Sequence, residues 1–140
     1  MKILLAVDGS DMALRATRHV VALAKAMAKP PSIHLLHADP PLLPDASRQL
    51  GPDATARYHR ENSEYATRRA RTALRRAGLA FNEVHAIAEP AEAVIKQVRA
   101  GKCDLIVMGS HGRSALKSAL LGSVTAKVLA HCQTPVTVVR

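Results

Sequence analysis

An open parallel α/β sheet with helices on both faces is the fold this sequence predicts. Three observations lead there. Apolar runs of strand length recur along the chain, segments with helical character separate them, and Gly, Pro, Ser or Asp punctuates the junctions between the two. Continuous apolar runs mark strands buried on both faces, as the strands of parallel sheets are. The resulting pattern is βαβαβαβαβ, and residues 1–140 read as one domain.

Residues 2–7 form the first apolar run, ended by Asp8-Gly9-Ser10. Ser10 or Asp11 can cap the following helix, expected to about residue 28 with Leu14, His19, Val21, Leu23 and Met27 near its apolar side. Pro30-Pro31 stops it. Residues 32–38 are the second strand. Residues 39–53 hold Pro40, Pro41, Pro44 and Pro52, show no periodicity and read as a long loop. A long helix follows over 54–77, with Gly78 placed to end it. It carries Arg57, Arg60, Arg68, Arg69, Arg71, Arg75 and Arg76, which read first as a solvated face. Residues 80–88 alternate loosely, as an edge strand does. Pro90 suits the first turn of the next helix, whose apolar stripe is Val94, Ile95 and Val98 and whose end is Gly101. A fourth strand over 105–108 breaks into a glycine-bearing loop. A helix from about 123 to 131 and a last strand over 136–139 complete the chain.

In open α/β sheets the ligand sits beyond the carboxyl ends of the strands, where the strand order reverses. The loops with site-like residues follow strands one and four. Setting those strands side by side gives the order 3-2-1-4-5, with right-handed crossovers.

Composition narrows the partners. The chain carries 20 Lys and Arg against 11 Asp and Glu, a formal net charge of +9, which favours acidic partners such as nucleotides, nucleic acid or anionic surfaces. Only 2% of residues are aromatic, so the core must come from aliphatic side chains. The first apolar run is too short for a signal peptide, and no segment is long enough to span a bilayer. Cys103 and Cys132 lie in no metal-ligand spacing and fit a reducing compartment as free thiols. A cytoplasmic protein without membrane partners is expected.

The loop after strand four reads G-x-x-G-x9-G-S, with Gly109, Gly112, Gly122 and Ser123. Gly109 is expected to let the chain leave the strand sharply, and Gly112 to let backbone approach a ligand closely. Gly122 and Ser123 put unpartnered N–H groups at a helix start, where anions bind. The spacing is neither the Walker P-loop nor the dinucleotide fingerprint. Asp8, at the end of strand one, can accept from a ribose, ligate a divalent ion, or simply cap the turn. Arg113 can pair with phosphate oxygens or be an exposed loop residue. His111 reads as an exposed loop residue, and Ala38 as a position that can line a base pocket. No triad or general base is evident from spacing.

These segments together resemble the ATP-binding branch of the universal stress protein family. The likeness covers essentially the whole chain: I-L-L-A-V-D-G-S at the start, H-L-L-H-A, P-A-E-A-V, D-L-I-V-M-G-S-H-G-R-S, L-L-G-S-V-T-A-K-V-L and the closing P-V-T-V-V. It implies an adenine-nucleotide-hydrolase-like, Rossmann-type sandwich. It implies that Ala6, Val7 and Asp8 border the nucleoside, Ala38 contacts adenine by its backbone, and Met108 and Gly109 floor the ribose and phosphate site. Gly112, Arg113, Gly122, Ser123, Val124 and Thr125 would wrap the phosphates of ATP, with Mg2+ or Mn2+ as an accompanying ion. The last strand would pair with its copy in a homodimer. Glu89 departs from the glycine that many members carry there.

Three functions follow as expectations: a dimeric ATP-binding stress-response or signalling protein with little or no hydrolysis, a slow ATPase, or a basic module that binds acidic partners without nucleotide. Nucleic acid is the less favoured partner, because no recognised binding module is present.

Overall fold

A computed structural model describes residues 1–112 and 121–140. The expected segment around Arg113 therefore lies outside the described residues. Five strands, β1 (Lys2–Ala6), β2 (Ser32–Asp39), β3 (Phe81–Ile87), β4 (Leu105–Gly109) and β5 (Val136–Val139), form one sheet. All its pairings are parallel and the order is β3-β2-β1-β4-β5. The helices are α1 (Asp11–Ala26), α2 (Pro44–Leu50), α3 (Pro52–Arg76), α4 (Pro90–Gly101) and α5 (Ser123–His131).

The continuous apolar run of β1 is explained by burial on two faces. Ile3, Leu5 and Val7 pack with Ile33, Leu35, Val107 and the α1/α3 layer. Leu4 packs with Leu36, Ile106, Met108 and the α4/α5 layer. Ile3, Leu4 and Leu5 are all fully buried. Each such side chain withdrawn from water contributes roughly 1.5–3 kcal/mol.

Three expectations need correction. The α1 face that meets the sheet is Ala13, Ala16, Thr17, Val20 and Ala24, while His19 is exposed. Small residues let this helix approach closely: a Cβ on Gly109 would lie 2.7 Å from the Met12 Cβ. A search for large apolar residues picks the wrong stripe in such a helix. Leu14, Val21 and Leu23 are only partly buried. In α4 the buried set is Ala91, Ala93, Val94 and Val98, with Ile95 partly exposed, for the same reason.

The stretch over 39–53 is not a structureless loop. Pro44 opens α2 and Pro52 opens α3, both in a first turn where a missing N–H costs nothing. No residue of α2 is buried. Two of the four prolines that argued for a loop, Pro44 and Pro52, are helix starts.

Capping follows the sequence closely. The Ser10 hydroxyl accepts from the Ala13 N–H at 3.1 Å. At the end of α3 the Leu79 N–H closes back on the Leu74 carbonyl at 3.1 Å. Of the α3 arginines, Arg57, Arg60, Arg68, Arg69, Arg75 and Arg76 are exposed. Arg69 pairs with Asp11 at 2.8 Å, and Arg71, half-buried, reaches Glu83 on β3 at 3.7 Å. Both cysteines are free thiols, and burial raises the pKa of Cys103.

Glu83 ties α3 to the sheet edge. Burial opposes its charge, but hydrogen bonds from His85 and Thr67 and the Arg71 charge outweigh that and hold its carboxyl below the usual range. A depressed carboxyl contributes stability that is present above its unfolded value of 4.5 and lost as pH falls through the lower folded value. Urea unfolding of Glu83→Gln should therefore show about 1 kcal/mol less stability than the parent at neutral pH. That gap should close as pH drops below 4.5. A gap independent of pH would mean the carboxylate charge contributes nothing.

Among the described residues, no helix is long and apolar enough to cross a membrane.

Candidate functional site

The site begins with a difference in strand length. The β1–β2 ladder ends at Ala6–Leu36, with one further bond from the Val7 N–H to the Leu36 carbonyl at 2.9 Å. The β2–β3 ladder runs on to Asp39–Ile87, and the Asp39 carbonyl accepts from the Ala88 N–H at 3.0 Å. Successive residues of a strand flanked on both sides turn their backbone groups to alternate neighbours. Leu36 faces β1 and Asp39 faces β3. The Ala38 N–H and carbonyl therefore face the space that β1 has vacated.

The second part is the start of α5. Gly122 is its N-cap and no side chain caps it. The first helical bond is Ala126 N–H to the Gly122 carbonyl, 2.9 Å. The N–H groups of Ser123, Val124 and Thr125 precede that bond, so they have no intrahelical acceptors and sit at the positive end of the helix dipole. The loop beneath them is pinned. The Gly122 N–H donates to the Ser110 carbonyl at 2.8 Å, the Ser110 N–H to the Val139 carbonyl at 2.7 Å, and the Thr125 hydroxyl to the Gly109 carbonyl at 3.0 Å.

Asp8 supplies the carboxylate between these two parts. Its Oδ1 accepts from the Ser10 N–H at 3.0 Å. A Cβ on Gly112 would lie 2.7 Å from its Oδ2, so that position admits only glycine without displacing the carboxylate. The close approach at Gly112 is thus to Asp8, and the reason for Gly109 is the contact with α1.

Ala6, Val7, Asp8, Ala38, Met108, Gly109, Gly112, Gly122, Ser123, Val124 and Thr125 all line one cavity of about 610 Å³. Arg113 is outside the described residues. A volume of several hundred Å³ is that of small-molecule sites. Sequence reasoning did not single out other residues on its wall: Leu36, His37, Asp39, Pro40, Pro90, Val94 and Leu121. His111, expected to be an exposed loop residue, lines the cavity as well, and its Nδ1 lies 3.0 Å from the Ser110 hydroxyl. His37 Nδ1 donates to the Val7 carbonyl at 3.0 Å.

Asp39 is the centre of a buried polar group. It and His59 of α3 are each only 5% exposed. Asp39 Oδ2 accepts from His59 Nδ1 at 2.5 Å and from Asn62 Nδ2 at 3.1 Å. This ties the first half of α3 to the end of β2. Across the cavity, Glu89 caps α4: its Oε2 accepts from the Glu92 N–H at 3.0 Å and its Oε1 meets Lys127 of α5 at 3.1 Å. Partial burial works against this carboxylate, but those two donors outweigh it and hold its carboxyl below the usual range. Glu89 thus caps one helix and fastens it to the next. Among the described residues no cluster of three or more His, Cys, Asp or Glu is placed to hold a metal.

Comparison with known proteins identifies the family and the fold. The universal stress protein family model matches residues 1–140. A universal stress protein of Thermus aquaticus is 37% identical over 139 residues, covering 99% of this chain and 97% of its own. The solved structure of MJ0577 from Methanocaldococcus jannaschii superposes with a TM-score of 0.81 at 28% identity, covering 99% of this chain and 94% of the other. A universal stress protein crystallised in complex with cAMP superposes with a TM-score of 0.70 at 26% identity, covering 100% and 97%. The chain belongs to the universal stress protein family.

Proposed function

We propose that this chain is an adenine-nucleotide-binding universal stress protein that holds ATP and reports nucleotide state with little or no hydrolysis. One observation carries the reading: the vacated strand position beside Ala38 and the uncapped start of α5 open into the same cavity, with Asp8 between them. A base edge can take the place of β1 against Ala38. The ribose hydroxyls can donate to Asp8, and the phosphates can accept from Ser123, Val124 and Thr125. Gly112, Gly122, Met108 and Gly109 shape the wall between. Arg113 is proposed to add charge to the phosphates. The relative with bound cAMP supports an adenine ligand.

Among the described residues no cluster of three or more His, Cys, Asp or Glu is placed to hold a divalent ion, so Mg2+ or Mn2+ would be held chiefly by the phosphates, where it would neutralise their charge. Among the described wall residues, Asp8 and His111 are the groups nearest to a role in water attack. Asp8 is already committed to the Ser10 N–H, and His111 to Ser110. The reading therefore favours storage over cleavage.

Thermal unfolding with ATP, ADP, AMP and cAMP tests it. At a ligand concentration near 100 times Kd, binding adds roughly 2.7 kcal/mol, or about 8 °C for a domain of this size. No shift with any of the four would remove the nucleotide reading. Phosphate release that scales with protein concentration and vanishes in Asp8→Ala would make the protein an ATPase instead.

A homodimer through β5 is part of the proposal. Val136, Thr137, Val138 and Val139 are all half-buried at the sheet edge, where an unpaired apolar strand invites a partner.

A further inference from the structure

Asp39 carries a buried carboxylate that the binding scheme above does not use, and the residue lines the cavity one position beyond Ala38. A buried carboxylate is costly unless hydrogen bonds satisfy it. Both donors that reach Asp39, His59 and Asn62, bond to the same oxygen, Oδ2. Among the described residues none donates to Oδ1. The two donors come from one face of α3, three residues apart, and hold one oxygen of the carboxylate, leaving the other without a donor among the described residues.

We propose that Asp39, held by His59 and Asn62, is a specificity-determining residue that selects a nucleobase bearing an exocyclic amino group over one bearing an oxo group. The inference rests on the nucleotide reading. A carboxylate is acceptor-only. Oδ1 can take a hydrogen bond from the six-amino group of adenine. It meets the six-oxo group of hypoxanthine or guanine as one lone pair facing another, and that pairing leaves a buried acceptor without a donor. Backbone groups of Ala38 read the same edge but cannot be altered by substitution. The side chain one residue on is where the preference can be changed. His59 and Asn62 are positioning residues: they touch the carboxylate and set where its second oxygen stands.

ATP and inosine triphosphate differ at the six-substituent and at N1 and share everything the phosphate and ribose sites see, so the change in their affinity ratio when Asp39 is substituted, with the Ala38 backbone left as it is, isolates this contact. Titration calorimetry of the purified protein should give a preference for ATP of at least about tenfold. In Asp39→Asn the amide can turn its Nδ2 donor to the oxo group, and the ratio should fall at least about threefold from that of the parent. Asn62→Ala, at a partly exposed helix position, keeps the protein folded if Asp39→Asn does not. It should reduce the ratio at least threefold by loosening the carboxylate.

A purely structural role for Asp39 predicts that both nucleotides weaken together in these variants with their ratio unchanged, and that result overturns the assignment. Equal affinity of the parent protein for both nucleotides also overturns it while leaving the nucleotide reading intact. Failure of the parent to bind either one removes that reading first.

Discussion

Gly122→Val should lower the affinity for ATP at least a hundredfold, about 2.7 kcal/mol, while the protein remains folded. Gly122 sits at φ −70° and ψ 156°, a conformation any residue adopts, so the change introduces no backbone strain. Its effect is spatial. A Cβ there would lie 3.2 Å from the His111 Cα and 3.3 Å from the Ser110 carbonyl oxygen. The two further methyl groups of valine must then be accommodated around the first N–H groups of α5, where the phosphates are proposed to bind. Far-ultraviolet circular dichroism checks the fold, and calorimetry with ATP checks the site. An unchanged affinity would place the phosphates elsewhere. Gly122→Ala is the graded version, with one methyl and a smaller loss.

Leu5→Ala should destabilise the fold by about 2–5 kcal/mol, enough to lower the melting temperature by roughly 10 °C. Leu5 is fully buried on β1, which lies at the centre of the sheet with β2 and β4 on its two sides. It shares a cluster with Ile33 and Leu35 on β2, Val107 opposite it on β4 and the α1 residues Ala16 and Val20. Strand residues from both sides hold the backbone in place, so the site cannot collapse onto the void. Leu43→Ala is the matched control: Leu43 is 77% exposed, and its loss should change stability by less than about 0.5 kcal/mol. Similar losses for the two would mean that the core is not where the structure puts it.

The sheet was the most legible part of this chain. Runs such as residues 2–7 and 105–108 are apolar at every position because both faces are covered, and that signal needs no long-range information. Strand order came from the two loops with chemistry in them, through the rule that links a ligand cleft to the reversal of strand order. Helix existence was legible, but helix orientation was not. In α1 the face toward the sheet is Ala13, Ala16, Thr17, Val20 and Ala24, mostly small residues that allow close approach, and hydrophobicity ranks its alanines and threonine below the leucines that remain partly exposed. The prolines of 39–53 were ambiguous because the same residue both breaks a helix and begins one.

The residues of the glycine loop could be named in advance because their spacing is local. The wall contributed by β2 was only partly visible. Ala38 entered through family likeness, whereas Asp39 and His59 are 20 residues apart in sequence and meet only because α3 climbs beside the extended end of β2. A buried acid looks like any surface acid until its neighbours are known.

The unequal lengths of β1 and β2 set two properties of the molecule against each other. Had β1 continued for two more residues, it would have completed its ladder along β2 and the backbone beside Ala38 would have been satisfied internally. The opening would then have closed. Sequence changes that lengthen β1 should therefore be selected for in a stabilised scaffold and selected against wherever the opening is used. Directed evolution for heat resistance alone would be expected to erase the cleft by adding rungs to the sheet.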